Sequence, residues 1–313
     1  MSRRIQITFL GTSAGAPSRK RGLPAVLVSD GFRNILLDCG EGTQYKLQSV
    51  GVSVHSIDLI LITHLHGDHV FGLPGLIASM TLLGRIRDLR IVGPSGIREY
   101  LEANIKFLST LPFRIHIVEV DPPEEPVTIH REDNFEVQCV ATRHSVKSCA
   151  YALIWRVPVG KFNPEKAKML NIPVKYWKKL QFGETVILED GRTIRPEEVV
   201  EVKHRGYIKI VYTGDTAPTD TIIKLAHGAD ILIHEATFSA DEDPYTIWRQ
   251  GHSRTVDAAE IAKKANVQTL ILTHISTRYE DQEHKLLQEA KTIFPNTYLA
   301  NDLEKYYINV EFD

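Results

Sequence analysis

Four potential metal ligands fall within six positions of this chain: His64, His66, Asp68 and His69, in Thr63-His64-Leu65-His66-Gly67-Asp68-His69. Histidine nitrogen and carboxylate oxygen are the ligands Zn²⁺ takes at hydrolytic sites, and the absence of cysteine from the stretch argues against a closed structural site. A strand running into His64 sets residues i and i+2 on one side, so His64 and His66 can reach one ion together. Gly67 permits a sharp bend, after which Asp68 and His69 open the next helix and can face a second ion. Further candidates stand at later strand ends: His144 in CVATRHSV, Asp215 in IVYTGDT and His274 in LILTHIS. Taken singly, each reads more readily as a capping or hydrogen-bonding residue. Taken with the cluster, they allow three ligands per metal and one bridging carboxylate.

The elements that must position these residues are legible as patterns. Ile5–Leu10, Ala25–Ser29 and Asn34–Leu37 alternate with Gly, Pro and Asp turns and read as an antiparallel meander. A helix is expected from Glu41 to Val50, then a buried strand over Asp58–Thr63. The segment HVFGLPGLIASMTLLG reads as a helix on a mostly apolar face. Further strands are expected over Arg114–Val120, Phe135–Ala141 and Ala150–Val157. From Val159 the rhythm breaks into prolines, short helical pieces and lysines, and it resumes at YIKIVYTGDT. Residues 159–205 therefore read as an arm inserted into one domain spanning 1–313. The second half continues strand, helix, strand, helix, strand and a final helix. Strands ending in metal-type residues in both halves fit two stacked sheets flanked by helices better than one doubly wound sheet.

The 313 residues are 43% hydrophobic and 24% charged, which predicts a packed core and excludes wholesale disorder. A net charge of −2 gives no chain-wide attraction for nucleic acid, so any RNA contact must come from a local patch. Three cysteines (Cys39, Cys139, Cys149) without a CxxC pair point to a reducing, cytoplasmic setting. The start reads as a brief strand, too short for a secretory leader, and no apolar run approaches membrane-spanning length.

The metal constellation resembles the metallo-β-lactamase superfamily. Over nearly the whole chain it is similar to the ribonuclease Z (tRNase Z) family, through FLGTSAGAPSRKR, LLDCGEGTQ, THLHGDHVFGLPGL, YTGDT, HEATF, GHSRT and LTHIS followed by RY. The resemblance implies an α/β fold, a four-layer αββα sandwich with the inserted arm as a flexible exosite. It implies that His64, His66 and His144 hold one zinc, that Asp68, His69 and His274 hold the other, and that Asp215 bridges. Two Zn²⁺ per subunit are expected, with Mn²⁺ a possible substitute on much the same ligands. The activity implied is endonucleolytic removal of 3′ trailers from precursor tRNA after the discriminator nucleotide. The products would be a 3′-hydroxyl on the tRNA and a 5′-phosphate on the trailer. Asp68 would act as proton acceptor, and His252, oriented by Glu235, would stand near the leaving oxygen. His234 is expected to steady the zinc ligands by hydrogen bonding. A homodimer, in which the arm of one subunit serves the other's site, is implied in the same way.

Two departures from the family's motifs bear on substrate choice. Where the family has Pro-x-Lys-x-Arg-Asn, this chain has Pro17-Ser18-Arg19-Lys20-Arg21-Gly22; Arg19, Lys20 and Arg21 are still expected at phosphates. Where the family has His-Ser-Thr, Arg254 follows His252 and Ser253. In the arm, Lys161, Lys166, Lys168, Lys175, Lys178 and Lys179 stand against one acid, Glu165, between Gly160 and Gln181. They suit the body of a tRNA, while Phe162, Tyr176 and Trp177 either stack on RNA or pin the arm's own core. The remaining histidines (His55, His116, His130, His204, His227, His284) are expected to be surface or structural residues. The competing readings are another metal hydrolase on the same fold, which would not need the lysine arm, and a non-catalytic RNA-binding module, which would not need all seven ligands.

Overall fold

The computed structural model describes residues 2–106, 111–203 and 205–311. Two sheets of seven strands carry the fold. The first runs, edge to edge, Lys305–Glu311, Ser2–Gly11, Ala25–Ser29, Asn34–Leu37, Leu59–Leu61, Leu89–Pro94 and Ile115–Val120. Its first four strands pair antiparallel and the rest parallel. The second runs Thr297–Leu299, Thr269–Thr273, Ile231–Glu235, Tyr207–Tyr212, Cys149–Arg156, Phe135–Ala141 and Val127–Glu132. There the first four are parallel and the last four antiparallel.

Strand alternation divides the apolar residues among three cores, and three cores require four layers. Ile5, Ile7, Phe9, Val26, Val28, Ile35 and Leu37 meet Val137, Tyr151, Leu153, Trp155 and Ile233 between the sheets. Leu10, Leu27, Leu36 and Ile60 face Leu73, Leu76, Ile77 and Met80 of the helix Gly72–Leu82. Val211, Leu232 and Leu270 face Leu225, Ala258, Ala259 and Ala262 of the helices Asp220–Ala226 and Thr255–Lys264. This is the αββα sandwich expected.

The meander strands fall where the pattern put them. The apolar segment after the histidine cluster is two helices, Gly67–Val70 and Gly72–Leu82, hinged at Phe71. Three strands of the two seven-stranded sheets were not read in the sequence: Val127–Glu132, an edge strand, and Thr297–Leu299 and Lys305–Glu311 beyond the last helix. Lys305–Glu311 covers the otherwise free edge of Ser2–Gly11.

The segment after Arg156 leaves the sandwich and returns at Tyr207, where the amide of Val157 donates to the carbonyl of Gly206 at 2.9 Å. Between these points Val159, Ala167, Ile172, Leu180, Val186, Leu188, Ile194, Val199 and Val200 form a small core of their own. Phe162 packs on Trp177, and the Trp177 indole N–H donates to the Ile172 carbonyl at 2.9 Å, so this pair pins the arm. The six arm lysines are exposed, with Lys168 paired to Glu165 and Lys175 to Glu189. Among the described residues no helix is long and apolar enough to cross a membrane.

Candidate metal centre

The carboxyl ends of strands from both sheets meet at one rim of the sandwich. From the first sheet, the strand Leu59–Leu61 runs on to His64 and His66, and the helix Gly67–Val70 presents Asp68 and His69. From the second, Phe135–Ala141 leads to His144, Tyr207–Tyr212 to Asp215, and Thr269–Thr273 to His274. His274 adopts φ 56°, a left-handed turn that redirects the chain into the short strand Ile275–Ser276.

Two sets of ligand atoms result. His66 Nδ1 lies 3.1 Å from His64 Nε2 and 3.0 Å from His144 Nε2, and Asp215 Oδ2 is 3.7 and 3.9 Å from those two Nε2 atoms. On the other side His69 Nε2 and His274 Nε2 are 3.3 Å apart. Asp68 Oδ2 is 3.6 and 3.4 Å from them, and Asp215 Oδ1 is 3.3 Å from each. Asp215 thus faces one set with each carboxylate oxygen.

The far side of four rings decides what these atoms offer. His69 Nδ1 donates to Asp38 Oδ2 (2.7 Å), His144 Nδ1 to the Gly251 carbonyl (2.8 Å), and His274 Nδ1 to Thr237 Oγ1 (2.8 Å). His64 Nδ1 donates to Thr63 Oγ1 (3.0 Å), whose own proton goes to Asp38. With the proton held behind, each ring turns a bare lone pair inward, the arrangement that orients metal-bound histidines. Gly251 adopts φ 80°, and a side chain there would meet His144 Nδ1 at 2.7 Å. Lone pairs facing one another at 3.0–3.3 Å repel unless a cation lies between them. In a tetrahedral site with Zn–N of about 2.0–2.1 Å, ligand nitrogens stand about 3.3 Å apart. Asp215 Oδ1 is buried and accepts no hydrogen bond despite its two close nitrogens. The donor set therefore fits divalent cations.

Burial and charge agree with this. Burial holds the His64 imidazole well below the ordinary histidine range and so neutral, whereas His69, despite its burial, is lifted well above that range by the carboxylates of Asp215 and Asp38, a proton there taking the place of a cation. Burial would raise Asp68, but the imidazoles of His274 and His69 against its carboxylate hold it well below the usual carboxylate range. The Gly15 amide also donates to Asp68 Oδ2 at 2.9 Å. His252 stacks on His274 and donates from Nδ1 to Glu235 Oε1 at 2.9 Å. Burial would lower it, yet the Glu235 carboxylate lifts it to about 9.

The family described as "Anti-Pycsar protein Apyc1" matches residues 5–162, and the "Beta-lactamase superfamily domain" matches 199–275. Ribonuclease Z of Archaeoglobus fulgidus is 44% identical over 313 residues, 99% of each chain. The chain belongs to the ribonuclease Z family. It is accordingly a hydrolytic nuclease of the metallo-β-lactamase fold. Ribonuclease BN of Proteus mirabilis is 40% identical over 96% of this chain and 98% of its own. Among solved structures the human tRNase Z, short form, superposes with a TM-score of 0.68 at 27% identity, over 96% of this chain and 98% of that one.

This ribonuclease Z relative departs from its sequence reading at several residues. Arg21, expected at phosphates, is 5% exposed and turned inward. Its NH1 donates to Thr12 Oγ1 and the Ala300 carbonyl, and its NH2 to Asn301 Oδ1. It staples the loop to the chain's end and has no access to RNA. Lys20 pairs with Asp281 at the surface, and Arg19 is exposed. His234, expected to steady a ligand, faces the wrong way: alternation along Ile231–Glu235 sends Glu235 to the rim and His234 to the helix layer. There its Nδ1 donates to the Glu235 carbonyl at 2.7 Å. Arg254 stands at the N-cap of its helix and donates from its amide and guanidinium to Asp257, but its side chain has no acceptor and does not replace the hydroxyl it displaces.

Three residues at the centre escaped the sequence reading. Asp38, fully buried, accepts from the Thr63 amide and hydroxyl, His69 Nδ1 and the Tyr212 hydroxyl (2.8 Å). Thr237 donates to Glu235 Oε2 (2.6 Å) while accepting from His274, so Glu235 braces both His252 and His274. Asp38, Thr237 and Tyr212 lie inside LLDCGEGTQ, HEATF and IVYTGDT, but nothing local says they hold ligands. His204 lies outside the described residues.

Proposed function

We propose that this protein removes 3′ trailers from precursor tRNA, cutting after the discriminator nucleotide to leave a 3′-hydroxyl on the tRNA and a 5′-phosphate on the trailer. One observation carries the reading: two sets of inward-facing lone pairs, one on each oxygen of Asp215, at the rim of a ribonuclease Z fold. His64, His66 and His144 would hold one zinc, and Asp68, His69 and His274 the other, with Asp215 shared. Imidazole-rich sites favour zinc, and Mn²⁺ is the natural substitute. When bound, such a pair of ions lowers the pKa of a water between them and neutralises charge on the phosphodiester.

The protein's own groups do the rest. Asp68, fixed by the Gly15 amide, is the carboxylate placed to accept the proton of the attacking water. His252 keeps a proton at neutral pH because Glu235 stands behind it, and delivers it to the departing ribose oxygen. Glu235, through Thr237, holds His274 in the tautomer that presents Nε2. The exposed arm lysines, with Arg19 and Lys20, meet RNA phosphates away from the chemistry. The arm is rooted at Arg156 and Tyr207, the strand ends opposite the rim, which favours a homodimer in which each arm serves the partner's centre.

The test is a 3′-extended precursor tRNA incubated with and without chelator, with the cut mapped. A single cut after the discriminator, lost with chelator and restored by Zn²⁺ or Mn²⁺, is expected. Chelator-insensitive cleavage, or cutting at unrelated positions, refutes the reading.

A further inference from the structure

Phe71 is 61% exposed, although it sits at the hinge between the helix that carries Asp68 and His69 and the helix Gly72–Leu82. Its ring is not loose. It lies parallel to Tyr100, with centroids 6.4 Å apart and an angle of 13° between planes. Tyr100 is itself tied down, its hydroxyl donating to the Val70 carbonyl at 3.1 Å. One edge of the Phe71 ring also rests on the metal loop: a Cβ at Gly67 would fall 2.4, 2.7 and 2.8 Å from Cε2, Cζ and Cδ2. Gly67 separates His66 from Asp68, and both line the cleft. A held aromatic surface therefore begins where the ligand loop ends.

We propose that Phe71, backed by Tyr100, is the stacking platform for an unpaired base of the RNA next to the scissile phosphate. This rests on the RNA-cleaving reading above and adds the element that aligns the strand. Single-stranded RNA is recognised by stacking its splayed bases on aromatic rings, and such stacking tolerates any base. A base on this ring fixes the phosphate beside it against the loop that carries Asp68. The other exposed apolar group nearby, Leu82, Leu83 and Ile86, lies at the far end of the helix Gly72–Leu82, about 16 Å away at about 1.5 Å per residue. Phe71 adjoins the metal loop at Gly67 and stands apart from that patch.

The experiment pairs Phe71→Ala and Phe71→Trp with precursor RNAs that carry one abasic nucleotide at each position flanking the cut. Phe71→Ala is expected to lose about 5- to 150-fold in kcat/KM on intact RNA, and Phe71→Trp to retain activity within about 3-fold. At one flanking position the abasic RNA should cost the wild type a similar factor and cost Phe71→Ala no further loss. Losses that multiply at every position, or a Phe71→Ala rate equal to wild type on intact RNA, overturn the platform. So does a Phe71→Ala protein whose loss coincides with a change in oligomeric state by light scattering, which would assign the ring to a second copy of the chain. A wild type that cuts no RNA removes the function and the platform together, a result distinct from all of these.

Discussion

Replacing Asp38 by Asn isolates what a residue behind the metal ligands contributes. Asp38 has φ 55°, a left-handed conformation that Asn adopts readily, so the backbone is not strained by the change. Oδ1 can still accept from the Thr63 amide at 2.7 Å. At the Oδ2 position, however, an NH₂ group would confront His69 Nδ1 at 2.7 Å and the Tyr212 hydroxyl at 2.8 Å. The tyrosine hydroxyl can turn to accept; the imidazole can do so only by moving its proton to Nε2, the atom that faces Asp215 and Asp68. The ring then loses its inward lone pair. Loss of such a partner costs about 10- to 100-fold in metal affinity, or about 1.4–2.7 kcal/mol. Asp38→Ala is harsher, because several buried donors lose their acceptor at about 1–3 kcal/mol each, and a net destabilisation of about 3–5 kcal/mol is expected. The assay is Zn²⁺ competition against a colorimetric chelator, with histidine tautomers followed by ¹⁵N NMR and stability by urea denaturation. Asp38→Asn should fold like wild type, bind the second ion weakly, and recover part of its activity at excess metal. A variant that binds both ions within about twofold of wild type, with His69 still protonated at Nδ1, refutes this role for Asp38.

Asp68→Ala should reduce cleavage by at least about 10³-fold even with metal in excess, since it removes a ligand and the proton acceptor together; residual activity within about tenfold of wild type in a single-turnover assay contradicts this. Excising the arm and joining Val157 to Gly206, already hydrogen-bonded at 2.9 Å, should raise KM for precursor tRNA at least about tenfold. It should also flatten the slope of log KM against log salt by about 0.7–0.9 for each phosphate that the arm no longer neutralises. Lys209 offers a pH test. Burial, with Arg205 nearby, lowers its amine to about 8, below its unfolded value of 10.5. The folded state therefore binds fewer protons, and the burden on stability is present below about pH 8 and fades as pH rises toward 10.5. Lys209→Met should stabilise by about 1–3 kcal/mol at about pH 7, and by clearly less at about pH 9.5, in urea denaturation. An equal gain at both pH values removes burial of the charge as the cause.

The ligand set was legible because its chemistry is local: two histidines at i and i+2 and an Asp-His pair after a glycine state their geometry without tertiary context. The distant members, His144, Asp215 and His274, read singly as capping or hydrogen-bonding residues and became legible as ligands only beside that cluster and through the family resemblance. What escaped was whatever depends on facing. Nothing in HEATF says which neighbour turns to the rim, and the sheet, by sending Ile231, Ile233 and Glu235 to one face, gave the site to Glu235 and took His234 away. Arg21 reads as an RNA contact until Ala300 and Asn301, remote in sequence, supply two of its three acceptors. Lys305–Glu311 alternates Tyr306, Ile308 and Val310 with polar neighbours, a strand pattern the reading passed over, and its place at the edge of Ser2–Gly11 is what only the long-range pairing shows.

With the arm meeting RNA as proposed, its distance from a metal centre, its own subunit's or the partner's, also bears on which RNAs are preferred. Within one subunit its root at Tyr207 is separated from Tyr212, near Asp215, by about 17 Å at about 3.3 Å per residue. An RNA that touches both ends is a bivalent ligand, and its second contact forms at an effective concentration fixed by its own stiffness. A rigid folded RNA of matching span gains the product of two weak affinities, whereas a short or floppy strand gains only one. Selection for a folded body can thus arise from separation alone, with no base read at the arm.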